Sequence, residues 1–209
     1  MSDRGSRRGY HHGNLKQALV EATLALVVEK GPFGFTVAEA ARSAGVSAAA
    51  PYRHFKGRED LIEEAALQGF QIFADLMEHA YDGGQPSALT AFSATGRAYL
   101  AFARNNPGHY ICMFESGVSI AGNSDLKAAS DRAFGVLTRA AEGLSRHLPV
   151  DRRPPPVMVS QHIWALSHGV VELFARTRPG TKGPFSAEDL LETGTGIYLR
   201  GLGILPPDE

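Results

Sequence analysis

From Leu15 to Leu202 the apolar residues recur at spacings of three and four, in runs separated by glycine- and proline-containing breaks. No segment alternates apolar with polar residues in the manner of a half-buried strand. The breaks fall at Gly31-Pro32, Gly45, Lys56-Gly57, Asp82 to Pro86, Asn106-Pro107-Gly108, Pro149 with Pro154-Pro155-Pro156, and Pro179 to Pro184. Glycine supplies the left-handed residue that ends a helix, and proline cannot continue its hydrogen-bond ladder. This punctuation predicts an all-α chain of about nine helices without a sheet.

The individual helices follow from caps and periodicity. Asn14 caps the first, with Leu15, Leu19, Ala22 and Leu26 on one face up to Gly31. Thr36 opens a short second helix, and Glu39 three residues on completes a capping box. Ser47 opens a third, to about Phe55. A fourth covers 57–81, with Glu59 and Asp60 in its first turn, where acids complement the helix dipole. Further helices are predicted at 88–105, from His109 to Glu115, from Asn123 to about Leu148, over 157–176, and from a Ser186 cap to about Leu202. The 157–176 segment is apolar on nearly every face, which predicts burial on more than one side.

Composition excludes several classes. Of 209 residues, 44% are apolar and 21% charged, as in a folded rather than a disordered chain. That length buries a core without disulfide or metal staples. Cys112, the one cysteine, cannot make an internal disulfide or a multi-cysteine zinc site. No apolar run approaches the roughly 18–20 residues of a membrane span. Met1 to Arg8 carries no apolar stretch behind it, so it does not read as a secretory signal, and a cytoplasmic location is expected. Charge is uneven: residues 1–60 carry nine Lys/Arg and six Asp/Glu, a net of +3, and the remainder is −4. An anionic partner is therefore expected for the front end alone. The expected organisation is a flexible basic arm (1–13), a small helical domain (14–60), a connecting helix and loop (61–85) and a larger helical domain (86–209).

The stretch from Thr36 to Phe55 has the layout of a helix-turn-helix, whose second helix enters the major groove. Gly45 permits the tight turn. Ser47 caps the second helix and offers a hydroxyl to phosphate. Tyr52, Arg53, His54 and Lys56 supply donors for backbone oxygens, which dominate affinity. Ala48, Ala49 and Ala50 let the helix seat deeply and meet thymine methyls, but they donate nothing to base edges. Phe55 reads as a core aromatic, while Tyr52 and His54, in a basic stretch, read as DNA contacts. Thr36 and Arg42 complete the expected DNA-binding set.

Thr36-Val37-Ala38-Glu39-Ala40-Ala41-Arg42-Ser43-Ala44-Gly45-Val46-Ser47, followed by Tyr52-Arg53-His54-Phe55-Lys56-Gly57-Arg58-Glu59-Asp60-Leu61, strongly resembles the TetR family of bacterial transcriptional regulators. The resemblance covers 14–60 closely and the rest by architecture. It implies an all-α homodimer, an N-terminal three-helix DNA-binding domain, a linking fourth helix, and a larger domain that binds a small molecule and dimerises. It implies a repressor that leaves near-palindromic operator DNA when the effector binds. A two-fold dimer places its recognition helices about 34–36 Å apart. Pro51 falls where the family usually has an aliphatic residue. It removes a backbone bond near the first turn and predicts a distorted third helix. With three alanines at 48–50, Arg42, Arg53 and the arm residues Arg4, Arg7 and Arg8 are left to carry more of the recognition. An arginine-bearing arm can enter the minor groove, or serve only solubility.

Downstream, Asn106 to Phe114 and Trp164-Ala165-Leu166-Ser167-His168-Gly169 resemble a TetR subgroup with a Trp…His-Gly signature. That resemblance fixes no ligand. An effector pocket between helices is expected to be largely apolar with a few polar groups. Its candidates are Phe92, Tyr99, Phe102, Tyr110, Met113, Phe114, Phe134, Trp164 and His168, each of which also fits plain core packing. His168 either orients a polar ligand group or bonds a backbone carbonyl. Dimerisation is assigned to the 157–176 helix and the last helix, with Leu190, Leu191, Ile197, Tyr198 and Leu202, as a four-helix interface.

Enzymatic patterns are weak. Ser167 and His168 are adjacent on a helix and point about 100° apart. His109 and Cys112 lack a third, orienting group. His162 and His168 are badly spaced for chelation, and Gly194-Thr195-Gly196 and Gly201-Leu202-Gly203 follow no strand. No cofactor, metal or membrane contact is expected. A ligand-independent DNA-binding protein and a ligand-binding module without operator recognition remain alternatives.

Overall fold

The computed structural model describes residues 15–175 and 184–206. The basic arm with Arg4, Arg7 and Arg8, the Asn14 cap and the 179–183 part of the expected loop lie outside the described residues. Among the described residues there are eight α-helices, four one-turn 3-10 helices and no strand. The chain divides into two compact units. Unit 1 takes the chain up to Gln68 together with Gly108–Val118, and unit 2 takes Gly69–Pro107 and the chain from Ser119 onward.

In unit 1, α1 (Leu15–Lys30) and α2 (Val37–Ser43) pack with the first turns of α3 (Arg58–Tyr81). Leu19, Val20, Val27, Ala40, Ala41, Leu61 and Ala65 are wholly buried, and Phe35 and Phe55 nearly so. The apolar spacing of α1 thus makes this core, as expected. α1 stops at Gly31, whose φ is +77°. α2 begins with the capping box: Glu39 N–H donates to Thr36 Oγ1 at 3.2 Å, and Thr36 N–H donates to Glu39 Oε2 at 2.8 Å. It ends in a Schellman arrangement, with Gly45 N–H donating to Arg42 O and Val46 N–H to Ala41 O around Gly45 at φ +71°. Most of α5 (Pro107–Phe114) belongs to this unit. Its Gly108 meets α1 so closely that a Cβ there would lie 2.7 Å from Leu24 O.

The segment expected as a third α-helix takes another form. Residues 48–50 are a turn, and Pro51–Arg53 is a single 3-10 turn. Ala50 N–H donates to Ser47 O, Arg53 N–H to Ala50 O and His54 N–H to Pro51 O, all three-residue spans. Pro51 has no N–H for the carbonyl of Ser47, and its ring crowds that carbonyl. The tighter spacing lets the chain turn without that bond. Pro51 itself is buried.

Unit 2 contains the remainder of α3, α4 (Ala88–Asn105), α6 (Ser124–Ser145), α7 (Pro156–Ala175) and α8 (Ala187–Gly201). α6 packs on α4 and α7, and α8 packs on α7 and α4. Caps define the starts. Ser87 Oγ accepts from Thr90 N–H, Asn123 Oδ1 accepts from Asp125 and Leu126 N–H, and Ser186 and Asp189 form a second capping box. Phe70, Phe73, Phe102, Leu126, Val136 and Leu199 fill the core. Arg132 pairs with Asp75 and Arg139 with Glu78, bridging α6 and α3.

α7 differs from expectation. Val159, Ile163, Ser167 and Val170 are buried along one stripe, whereas Val157, Met158 and Leu173 are exposed. Among the described residues only one side of this apolar helix is covered.

Candidate DNA-binding face and ligand site

All nine residues nominated for DNA contact lie in unit 1 and are exposed: Thr36, Arg42, Ser47, Ala48, Ala49, Tyr52, Arg53, His54 and Lys56. Arg42 stands in the last turn of α2, Arg53 in the 3-10 turn, and Lys56 just before α3. Among the described residues none of the ion pairs takes in Arg42, Arg53 or Lys56. By contrast Lys16 and Lys30 of the same unit are neutralised, by Glu64 at 2.8 Å and Glu39 at 2.7 Å. Of this unit's described cations outside those pairs, Arg42, Arg53 and Lys56 are exposed, and Arg58 is half-buried and donates to Phe33 O.

Of the two nominated hydroxyls, Thr36 forms its expected capping box, whereas Ser47 departs from expectation. Thr36 Oγ1 is already engaged, accepting from Glu39 N–H and bonded to Glu39 Oε2 at 3.0 Å. Ser47 caps no helix with its side chain, because no α-helix starts there; its carbonyl closes the turn. The Glu39 carboxyl is held down to about 2 by Lys30 and by the N–H and hydroxyl of Thr36. Phe33 went unnominated. It is exposed, and the Arg58 guanidinium sits 5.7 Å from its ring centre while Arg58 Nη1 donates to Phe33 O. A lone aromatic in a Gly-Pro turn carries no sequence signal that separates surface from core.

The nominated ligand residues fall into two groups. Tyr110, Met113 and Phe114 belong to unit 1, where Tyr110 and Phe114 meet edge to face at 5.0 Å. In unit 2, Tyr99, Phe102, Phe134, Trp164 and His168 form one aromatic cluster around Phe73, which the spacing places only on the apolar face of its helix. Phe73 lies 5.2 Å from Tyr99, 4.9 Å from Phe102 and 5.9 Å from Trp164. Trp164 lies 5.5 Å from Phe134 and 5.7 Å from His168. The Tyr99 hydroxyl bonds Nδ1 of His168. Burial lowers the His168 pKa against an opposing pull from Glu172, so its imidazole is held towards the neutral form. Such an apolar site with one polar pair suits an organic ligand carrying a hydrogen-bonding group. A cavity of unit 2 lies between α4 and α8, and of the nominated ligand residues only Phe92 lines it.

Neither Ser167 nor Cys112 is activated as a nucleophile. Ser167 donates its hydroxyl to Ile163 O at 2.9 Å. Burial pushes the Cys112 thiol up to about 12, far from the thiolate. His109, half-buried with its Nε2 unbonded, is likewise held towards neutrality by desolvation. Among the described residues no helix is long and apolar enough to cross a membrane.

Comparison with known proteins bears directly on this arrangement. Residues 19–65 match the family model described as bacterial regulatory proteins, tetR family. Residues 92–196 match the model described as tetracyclin repressor-like, C-terminal domain. No curated protein matches the chain by sequence. Among solved structures, a protein of unknown function from Rhodococcus sp. RHA1 is 23% identical with a TM-score of 0.76, over 93% of this chain and 98% of that one. The TetR family transcriptional regulator PfmR from Thermus thermophilus is 21% identical with a TM-score of 0.69, over 87% and 97%. AibR, solved in complex with isovaleryl coenzyme A and operator DNA, is 15% identical with a TM-score of 0.66, over 87% and 96%. At these identities the structures share the fold. Together the two family matches span the helix-turn-helix segment and half of the chain beyond it, and the chain belongs to the TetR family of bacterial transcriptional regulators.

Proposed function

We propose that the protein is a ligand-responsive repressor, acting in the cytoplasm, that binds near-palindromic operator DNA as a homodimer and leaves it when a small molecule binds. The observation that carries the reading is the set of exposed cations Arg42, Arg53 and Lys56, in none of the ion pairs among the described residues, in a chain of net charge −1. Phosphate contacts supply most of the affinity, and these side chains are free to make them. Tyr52, 61% exposed, adds an aromatic with a hydroxyl donor beside Arg53 in the sequence.

Dimerisation is supported by the uncovered side of α7 and α8. Leu173 is 64% exposed and Ile197 65%. An apolar surface of this kind on two neighbouring helices suits a second copy of itself. The proposed effector site is the Phe73–Trp164–His168 cluster, with the Tyr99–His168 pair as its polar group. α3 is a single helix that begins in the DNA-binding unit and contributes Phe73 to the cluster. A ligand that moves Phe73 therefore acts on the helix whose first turns belong to the operator-binding unit. It acts as inducer if it binds the DNA-free arrangement more tightly.

Selection from a pool of random duplexes tests this. Enrichment of a near-palindrome with half-sites one helical turn apart is the expected result, and no enrichment contradicts it. A second reading, a ligand-binding module without operator recognition, draws on the loss of α-helix at 47–55. Arg53→Ala separates the two: weaker, less selective binding supports the repressor, and no change supports the module.

A further inference from the structure

Phe55 and Leu61 are buried and anchor the chain on either side of the turn at Lys56 and Gly57. Between these anchors the Lys56 side chain is exposed and in none of the ion pairs among the described residues. Where its ammonium reaches depends on the backbone that carries it. Gly57, immediately before α3, brings no side chain to cap that helix, and a Cβ placed there would meet open space. Neither a cap nor packing at Gly57 holds the turn.

Asp60 supplies the hold. Its Oδ2 accepts from Lys56 N–H at 2.8 Å. In the capping box of α2, the third helical residue, Glu39, accepts from Thr36 N–H, just before the helix. Asp60, the third residue of α3, reaches one position further back. Arg58 makes a second tether from the same turn, donating from Nη1 to Phe33 O at 3.0 Å. Side chains two apart on a helix point about 200° apart. The first turn of α3 thus holds the loop ahead of α2 with one side chain and the turn after Pro51–Arg53 with the other.

We propose, resting on the DNA-binding reading above, that Asp60 is a positioning residue for Lys56: by accepting from the Lys56 N–H it fixes the backbone from which the ammonium meets a DNA phosphate. Its charge and its oxygen then act in opposite directions. The half-buried carboxylate repels phosphate, whereas the accepting oxygen favours binding by ordering the turn before DNA arrives. Such ordering removes a cost that a loose turn meets on binding.

Fluorescence anisotropy on a mixed-sequence duplex, over a range of salt, tests this with Asp60→Ala, Asp60→Asn, Lys56→Gln and the double variant Lys56→Gln/Asp60→Ala. Phosphate contacts carry no sequence information, so equal binding to every sequence would count against the repressor and leave this comparison intact. Asp60→Ala is expected to weaken binding about fivefold, the scale of one lost hydrogen bond, although it removes a repelling charge. It is also expected to lower the logarithmic salt slope by up to about 0.9, one phosphate contact. Asp60→Asn keeps the accepting oxygen without the charge and is expected to tighten binding. In the Lys56→Gln background, Asp60→Ala is expected to weaken binding no further. Melting curves set an assay temperature at which the variants are folded, and Asp60→Asn keeps the test open if Asp60→Ala does not fold. Tightening by Asp60→Ala, weakening by Asp60→Asn, or the same weakening by Asp60→Ala with and without Lys56 would each overturn the proposal. Absence of DNA binding by the parent protein would overturn it together with the reading on which it rests.

Discussion

The hydroxyl of Tyr99, on α4, bonds Nδ1 of His168, on α7, across the aromatic cluster of unit 2. A neutral imidazole with its proton on Nε2 accepts that hydroxyl, in keeping with the lowered His168 pKa. Tyr99→Phe leaves the nitrogen without its donor and is expected to destabilise the fold by about 1 kcal/mol. Chemical denaturation of the two proteins checks it.

His168 also sets a direction for stability against pH. Its folded pKa, like that of His109, lies below the ordinary 6.5, so below that pH the unfolded chain takes up protons that the folded chain resists. Stability is therefore expected to fall as pH drops below about 6.5. His168→Gln is expected to flatten the fall, and denaturation midpoints at pH 7 and 5.5 measure it.

The capping box of α2 gives a second window, of carboxylate sign. Glu39 is held down to about 2 against 4.5, so its contribution is complete above 4.5 and is lost as pH falls towards 2. Thr36→Ala removes the hydroxyl from both sides of the box and is expected to cost about 1 kcal/mol at neutral pH. It is also expected to make the acid loss shallower. Thermal melts between pH 5 and 2 provide the comparison.

Much of this is legible in the sequence for a local reason. The Thr36 and Ser186 boxes, the Gly31 and Gly45 stops and the Asn123 cap are fixed by residues within a few positions, and each appears where its signal lies. The 47–55 segment departs from its expected helix because of Pro51. Its missing bond predicts a distorted helix, whereas the segment closes mainly by three-residue spans, with one four-residue bond from Phe55 N–H to Pro51 O. Phe73 escapes sequence reading because a face of α3 can be read from spacing, but not which helix it meets. The α4–α8 cavity escapes it for the same reason: Gly96 and Gly196 are a hundred positions apart, and only folding places them on one cavity.

Gly108 tests packing inside unit 1. A Cβ there lies 2.7 Å from Leu24 O, a backbone atom that cannot turn aside. Gly108→Ala is expected to destabilise by about 1–3 kcal/mol, the usual cost of overpacking. A Tm equal to that of the parent protein would show that α1 and α5 separate readily.

Ile197 tests assembly. At 65% exposure it sits on the uncovered side of α8, so Ile197→Glu places a charge in the proposed interface. Sedimentation is expected to show a dimer for the parent protein and a shift to monomer for the variant.

The central claim is most directly tested by fluorescence anisotropy of the purified protein on duplex DNA flanking its own gene, at two salt concentrations, against a scrambled duplex. The account predicts tighter binding to the flanking duplex, two chains per duplex, and an affinity that drops steeply with salt. Each phosphate contact contributes about −0.9 to the logarithmic slope, so Arg53→Ala reduces the slope by roughly 1. Equal, weak binding to both duplexes, with a slope unmoved by Arg53→Ala, would contradict it.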